Sequence, residues 1–381
     1  MSVSGCEIVE TGHLMRISGG PAVSAGILRL QARSQAIKRL FKEGFGMTMF
    51  GFGVVGTGMI ADAMATAIGR AKNARLVAVS SRKLEAAEKF AAGREGVAAV
   101  QGFESLLDFE GVDGVYIATP TAAKEEIALA AIAAGKHVLV DKPFLNRASV
   151  VRMTEAAAAR GVVFMDATHF VHHPRTGIVA ARLGGPRSLY TSFYFPQMDR
   201  SNIRFDLELE PMGAIGDMAW YSMRAVVEYL RPKGKVTKVQ TVAERDNVTG
   251  AVIRASGVIG FESGEVSTFD AGFTGATMVQ DLQLLGTDGA IGMDDFVGDW
   301  TDSVAFQNPD IKTGYWYKTG LATRKDAVFV ETPADTAAQV AMMENFAALA
   351  ASGDLGARAA FAEASVKTQE LVDAIWEAAG N

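Results

Sequence analysis

The sequence predicts an α/β fold in two parts: a doubly wound parallel sheet, then an α/β domain built on a mostly antiparallel sheet. Two observations carry this. From Met49 to about residue 170, apolar stretches of four to seven residues alternate with helix-forming segments of ten or more. Strands separated in this way pair in parallel through crossovers. Beyond residue 170 the apolar segments lengthen, alternate in part with polar residues, and are joined by turn sequences, as antiparallel strands are.

In chain order, Phe50–Val55 is the first strand, followed by a glycine turn and an alanine-rich helix to about Arg70. Arg75–Val79 is a strand and Arg82–Ala92 a helix. The buried strand Val112–Ala118 precedes a helix, Lys124–Ala134, which Gly135 ends. The strand His137–Val140, the helix Ala148–Arg160 and the strand Val162–Met165 complete the first part. The strands of the second part are Arg187–Phe195, Lys235–Glu244, Ala251–Phe261, Glu265–Phe273 and Thr277–Leu285. A helix over Gly213–Leu230 interrupts them, and two helices close the chain near 335–352 and 358–378. The expected divisions are 1–48, 49–170 and 171–381.

Residues 1–48 differ in kind. Between Thr11 and Lys42 lie Arg16, Arg29, Arg33, Lys38, Arg39 and Lys42 and no acidic residue. This segment reads as a disordered or weakly helical extension, or as an upstream start read into the gene, with Met47 or Met49 at the natural beginning. A targeting peptide is the other reading, but the segment has no compact apolar core followed by a small-residue cleavage site.

Across all 381 residues, 37 Lys+Arg stand against 43 Asp+Glu, a formal charge of −6. That balance argues against nucleic acid and anionic membranes, which demand clustered positive charge. A single cysteine rules out an internal disulfide and a cysteine-clustered zinc site, and fits a reducing, cytoplasmic compartment.

Four groups of residues carry chemistry. Gly56-Thr57-Gly58-Met59-Ile60-Ala61 follows a strand and opens a helix. Gly56 allows the tight turn, Gly58 lets the backbone approach a pyrophosphate, and Ala61 stands where a third glycine would pack helix on strand. An anion can then rest on the helix N-terminus, so a dinucleotide site is expected here. Ser81, Arg82 and Lys83 end the second strand, where an NAD enzyme usually offers a carboxylate to the ribose. Hydroxyls and cations suit a 2′-phosphate instead, favouring NADP(H) over NAD(H); the alternative is that Arg82 and Lys83 merely begin a solvated helix. Asp141-Lys142-Pro143 follows a parallel strand, and Pro143 keeps Lys142 extended, pointing into the ligand crevice at the strand ends. Asp217 and Tyr221, four residues apart, share one helix face. A lysine beside the phenol would draw its pKa toward working pH; the plainer reading is a capping Asp and a core Tyr.

These segments, with Ala118-Thr119-Pro120-Thr121 and Ala134-Gly135-Lys136-His137-Val138, occur in an order that resembles the glucose–fructose oxidoreductase/inositol dehydrogenase (Gfo/Idh/MocA) family over about 49–380. The resemblance implies a Rossmann domain and a second domain whose large open sheet commonly joins subunits, hence a homo-oligomer, a dimer or tetramer. It also implies NAD(P)-dependent oxidation of a sugar, polyol or diol, or the reverse. By position, Lys142 is the catalytic lysine of the family's Glu-Lys-Pro motif. Tyr221 takes a place that is His in inositol dehydrogenase-like members and Tyr in glucose–fructose oxidoreductase and dihydrodiol dehydrogenase-like members. Thr119 and Pro120 would line the nicotinamide site, with Asp141 beside it. Asp141 departs from the usual Glu, and Lys124 stands where many members have His. The stretch His169-Phe170-Val171-His172-His173-Pro174-Arg175 would follow the substrate cleft, with His169 and His172 as substrate contacts and Arg175 touching cofactor or substrate. A divalent ion on these histidines with Asp166 nearby is a lesser reading, and a plain structural role is the other.

The expected chemistry is hydride transfer between nicotinamide C4 and a small polyhydroxylated substrate. Tyr221 would exchange the proton, Lys142 would stabilise the oxyanion and lower the tyrosine pKa, and Asp217 would orient substrate. Two alternatives remain: a nucleotide-sensing regulator of the same fold, and redox-assisted glycosidic cleavage.

Overall fold

The structure is a computed structural model describing residues 49–300, 303–304 and 307–380. The extension expected over 1–48 therefore lies outside the described residues. The first part is a six-stranded, all-parallel sheet. Its chain-order elements are β1 (Phe50–Val55), α1 (Met59–Arg70), β2 (Ala74–Ser81), α2 (Leu84–Ala91), β3 (Ala98–Gln101), α3 (Phe103–Leu107), β4 (Gly114–Ile117), α4 (Thr121–Ala133), β5 (His137–Val140), α5 (Arg147–Arg160) and β6 (Phe164–Asp166). The spatial order β3-β2-β1-β4-β5-β6 reverses between β1 and β4. That switch point opens a crevice at the carboxyl ends of the strands. β3 and α3 escape the sequence pattern because Ala98 and Ala99 have little strand preference and sit between Gly96 and Gly102.

The second part begins with α6 (Pro174–Arg182), β7 (Ser188–Tyr194), α7 (Gly213–Asp217) and α8 (Ala219–Ala225), which runs into a wide turn at Val226–Leu230. It continues with β8 (Val236–Arg245), β9 (Val252–Phe261), β10 (Val266–Gly272), β11 (Val279–Leu285), β12 (Ala290–Met293), β13 (Gly314–Lys318) and β14 (Val328–Glu331), and ends with α9 (Ala338–Ser352) and α10 (Leu355–Ala378). The eight strands form one sheet in the order β14-β13-β12-β11-β7-β10-β9-β8. The sequence points to five of them. The short β12, β13 and β14 lack a run long enough to show alternation. One pair also breaks the antiparallel rule: β7 and β10 run parallel, Ser188 facing Val266 and Tyr194 facing Gly272.

Alternation along the second-part strands leaves one sheet face inward. There Phe193, Phe269, Trp220 and Phe296 join Val115, Ile117, Val138 and Val140 from the first sheet, and Phe144 beyond it, in a continuous core. The last helices return to the first sheet: Phe346 on α9 packs against Phe50 and Phe52 at 5.7 and 5.5 Å between ring centres. A buried polar knot ties three elements together. Asp166 on β6 accepts from Arg224 Nη1 on α8 at 2.6 Å and from Ser365 Oγ on α10 at 2.5 Å. Such a pair adds little net stability, but removing one partner strands a charge. The carboxyl end of β6 is thereby tied to α8 and α10.

Candidate active site

Lys142 leaves β5 two residues past its end, where the Asp141 N–H still bonds to Ile117 O on β4 at 3.0 Å. Its ammonium crosses to the second part and pairs with Asp217 Oδ1. It also donates to the main-chain carbonyl of Asp217 at 3.0 Å and lies 4.8 Å from the centre of the Tyr221 ring.

Sequence spacing anticipates one unbroken helix bearing Asp217 and Tyr221, but the helix is interrupted at Met218. The Tyr221 N–H reaches Met218 O at 3.3 Å, a three-residue step in place of four. The Asp217 carbonyl accepts from Lys142 Nζ, as a carbonyl at a helix end needs an outside donor. The break thus delivers two acceptors from one residue to the lysine.

Both Asp217 oxygens are engaged: Oδ1 with Lys142, and Oδ2 with Arg204 Nε at 2.5 Å. Asp217 thus holds two cations together. Burial pushes its carboxyl up, but Lys142 and Arg204 outweigh burial and keep it well below the usual carboxylate range. For Lys142 burial pulls downward, yet Asp217, Tyr221 and Asp141 together raise it above the ordinary lysine value. The lysine is a permanent cation here. An ammonium has three N–H donors, and two point at Asp217, which leaves one.

Tyr221 differs from its sequence-based expectation in one respect. Lys142 does draw the phenol pKa down, but burial, supported by Asp141 and Asp217, raises it above its ordinary value. The resting residue is a neutral phenol. Its ring stacks on Phe193 with centres 4.7 Å apart and meets His169 edge-on at 6.3 Å. His169 is held neutral, down to about 4, by burial and by the Lys142 charge.

The other candidates divide. His172 stacks on Phe361 at 5.6 Å, and its Nδ1 lies 3.0 Å from Asn345 Nδ2. Arg175, 2% exposed, bonds to Asp295 Oδ1 and O at 2.7 and 2.8 Å, and to Gly298 O at 2.7 Å and Gly314 O at 3.3 Å. Its Nη donors are spent on fixing the loop between β12 and β13. His169 alone of these three stands beside Lys142 and Tyr221. Among the described residues no group of three His, Cys, Asp or Glu side chains is arranged to hold a metal ion.

The glycine turn lies at the amino end of α1. Gly56 has φ +114°, and a Cβ there would sit 2.6 Å from Ala118 O, so the turn needs glycine. Gly58 caps α1 with no side-chain bond, and a Cβ there would meet nothing within 4 Å. Helix N–H groups therefore face open space, with Thr57, the 63% exposed Met59 and Ile60 around them. Ala61 is fully buried against β1. Thr119 Oγ1, between β4 and α4, is buried without a protein partner, and Pro120 caps α4. An uncapped helix end, open space at Gly58 and an orphaned hydroxyl fit a dinucleotide. Ser81 and the exposed Arg82 close β2 beside this turn, and the Gly56 N–H bonds to Ser80 O at 3.0 Å.

Two participants carry no motif and escape sequence reasoning. Arg204 and Glu210 come from the irregular segment before α7. Glu210 accepts from the Thr121 N–H and hydroxyl at 2.9 and 2.6 Å. Lys124 is a departure visible in the sequence, but its contacts are not.

Residues 50–168 match a family model described as "Oxidoreductase family, NAD-binding Rossmann fold", and residues 175–292 match the GFO/IDH/MocA C-terminal domain. A dTDP-3,4-didehydro-2,6-dideoxy-alpha-D-glucose 3-reductase from Streptomyces violaceoruber is 33% identical over 223 residues, 57% of this chain and 64% of that one. The scyllo-inositol 2-dehydrogenase (NADP(+)) of Bacillus subtilis (strain 168) is 37% identical over 120 residues, 31% of this chain and 37% of that one. This chain thus spans less than two thirds of the length of these curated relatives. A crystal structure of a 3-ketoreductase from Actinomadura kijaniata with NADP and TDP-benzene is similar at TM-score 0.74 and 25% identity, covering 86% of this chain and 97% of that one. With matches to both domains and this likeness in architecture, the chain belongs to the Gfo/Idh/MocA oxidoreductase family.

Proposed function

We propose that this chain is an NADP(H)-dependent oxidoreductase that moves a hydride between the nicotinamide and a hydroxyl or carbonyl carbon of a sugar, polyol or dihydrodiol-type substrate. One observation carries the reading: Lys142 from the first part meets Asp217 and the Tyr221 ring from the second, at the strand ends where a dinucleotide crevice opens. Named sugar reductases and NADP(+)-dependent dehydrogenases among the relatives support the substrate class and the cofactor.

When bound, the dinucleotide supplies or takes the hydride. Gly56, Thr57, Gly58, Met59 and Ile60 hold its pyrophosphate, Ser81 and Arg82 the ribose phosphate, and Thr119, Pro120 and Asp141 flank the nicotinamide. In the reductive direction the Tyr221 phenol gives its proton to the substrate oxygen. The free N–H of Lys142 steadies that oxygen as charge develops on it. Asp217 serves as a positioning residue, keeping Lys142 charged and aimed, and His169 offers a neutral imidazole to a substrate hydroxyl.

The outward face of the second sheet supports self-association into a homo-oligomer. It exposes Tyr190, Leu285 and Trp316 around a depression of about 370 Å³. The single cysteine supports a reducing, cytoplasmic setting. Among the described residues no helix is long and apolar enough to cross a membrane. The test is Lys142→Met assayed on a panel of sugars and polyols with NADP(+) and NAD(+). Turnover should vanish while NADPH still binds, and normal kcat in the variant rejects the assignment.

A further inference from the structure

Lys124 is a buried cation that the proposed reaction does not use. It sits on the first turn of α4, only 3% exposed, and its ammonium reaches across to the segment that carries Lys142. It donates to Lys142 O and to Pro143 O, each at 2.9 Å, and approaches Thr121 Oγ1 at 3.4 Å. All three of its N–H groups thus have protein acceptors. β5 has ended at Val140, so the two carbonyls fall beyond the reach of the sheet ladder. Without Lys124 the part-buried Lys142 O would lose this donor, and the buried Pro143 O would keep only Thr121 Oγ1 at 3.5 Å, a costly state for a main-chain oxygen.

A lysine is an expensive way to satisfy two carbonyls, because its charge must also be buried. Burial holds the Lys124 pKa below its ordinary value, with Asp141 and Glu210 opposing it in part. Glu210 in turn grips Thr121 through both its N–H and its hydroxyl. A chain of contacts therefore runs from Glu210 through Thr121 and Lys124 to the main chain of Lys142.

We propose that Lys124 is a positioning residue: by clamping the carbonyls of Lys142 and Pro143 it aims the Lys142 ammonium at Asp217 and at the substrate oxygen. This rests on the catalytic reading of Lys142. The path of the segment after β5 sets where the side chain of Lys142 emerges. A shift of an ångström there would misplace the one N–H left for substrate.

The experiment pairs Lys124→Met with Lys142→Met. Lys124→Met should lower kcat roughly 10- to 100-fold while KM and the NADPH Kd stay within about twofold. A second readout needs no substrate. Acetylation of Lys142 by acetic anhydride, followed by mass spectrometry and normalised to the exposed Lys89, should rise about fivefold as the segment loosens. Lys124→Arg, which keeps charge and donors, should recover part of both effects. If Lys124→Met does not fold, Lys124→Gln is measured by the same two readouts. Unchanged kcat with unchanged acetylation overturns the proposal. So does a parallel fall in kcat, NADPH affinity and melting temperature, which marks a general packing role. If Lys142→Met itself keeps normal turnover, the catalytic reading fails first, and the acetylation result still decides whether Lys124 holds the segment.

Discussion

Asp217→Asn separates the shape that holds Lys142 from the charge that holds it. The amide keeps the carboxylate's volume, and the Asp217 carbonyl 3.0 Å from Lys142 Nζ is untouched. What disappears is one negative charge between two cations, Lys142 and Arg204. The Lys142 and Asp217 side chains are each about a tenth exposed, so water screens their attraction poorly. Removing one partner of a buried ion pair costs about 3–5 kcal/mol. Arg204, 22% exposed, is better hydrated, and the lower end applies. A loss of about 3 kcal/mol lowers the melting temperature by roughly 5–10 °C. The pH dependence follows with a definite sign. In the wild type Lys142 is raised above its ordinary value, so its stabilising charge is fully present below about pH 10 and is lost only above that. Asp217 is depressed, so its contribution is fully present above about pH 4 and is lost progressively as the pH falls below that. In Asp217→Asn the downward pull of burial on Lys142 loses its main opponent, and the lysine pKa falls. Initial rates of NADPH oxidation between about pH 6 and 10 should then acquire an alkaline limb that the wild type lacks. A variant whose profile and melting temperature both match the wild type would refute this account of the pair.

Three further changes probe other parts of the site. Gly56→Ala puts a Cβ 2.6 Å from Ala118 O at φ +114°, and should weaken NADPH binding, followed by nicotinamide fluorescence, at least about tenfold; normal affinity would remove the pyrophosphate from this turn. Arg82→Ala should raise the NADPH Kd roughly 10-fold, worth about 1.4 kcal/mol, and leave NADH nearly unaffected. An equal loss for both cofactors would take Arg82 off the 2′-phosphate. Tyr221→Phe should lower kcat by about 10²-fold or more. Because Tyr221 is raised, the wild-type reduction rate should decline only as alkaline pH ionises the phenol, and oxidation should climb over the same range. A Phe variant that retains both slopes would move the proton elsewhere.

How much of this was legible depends on which residues obey a local rule. The parallel sheet announces itself because strands buried on both faces read as unbroken apolar runs. β1 is such a run, with every residue after Phe50 buried. Lys142 is legible because Pro143 and the strand before it constrain its exit, and Asp217 and Tyr221 are legible through their spacing. The break at Met218 between them is not. It depends on a lysine 75 residues away offering the Asp217 carbonyl a better partner than the helix does. Arg175 shows the opposite failure. A cation next to a histidine-rich stretch looks available for ligand, yet Asp295, Gly298 and Gly314, more than 100 residues on, absorb its donors. Lys124 and Arg204 belong to the same class, since each owes its place to partners that only the folded topology brings near. Local sequence reports which groups can do chemistry, and long-range pairing decides which of them are left free to do it. In this site the division falls on a count of donors: Arg175 has its Nη donors bound to protein, Lys124 has all three N–H groups engaged, and Lys142 keeps one.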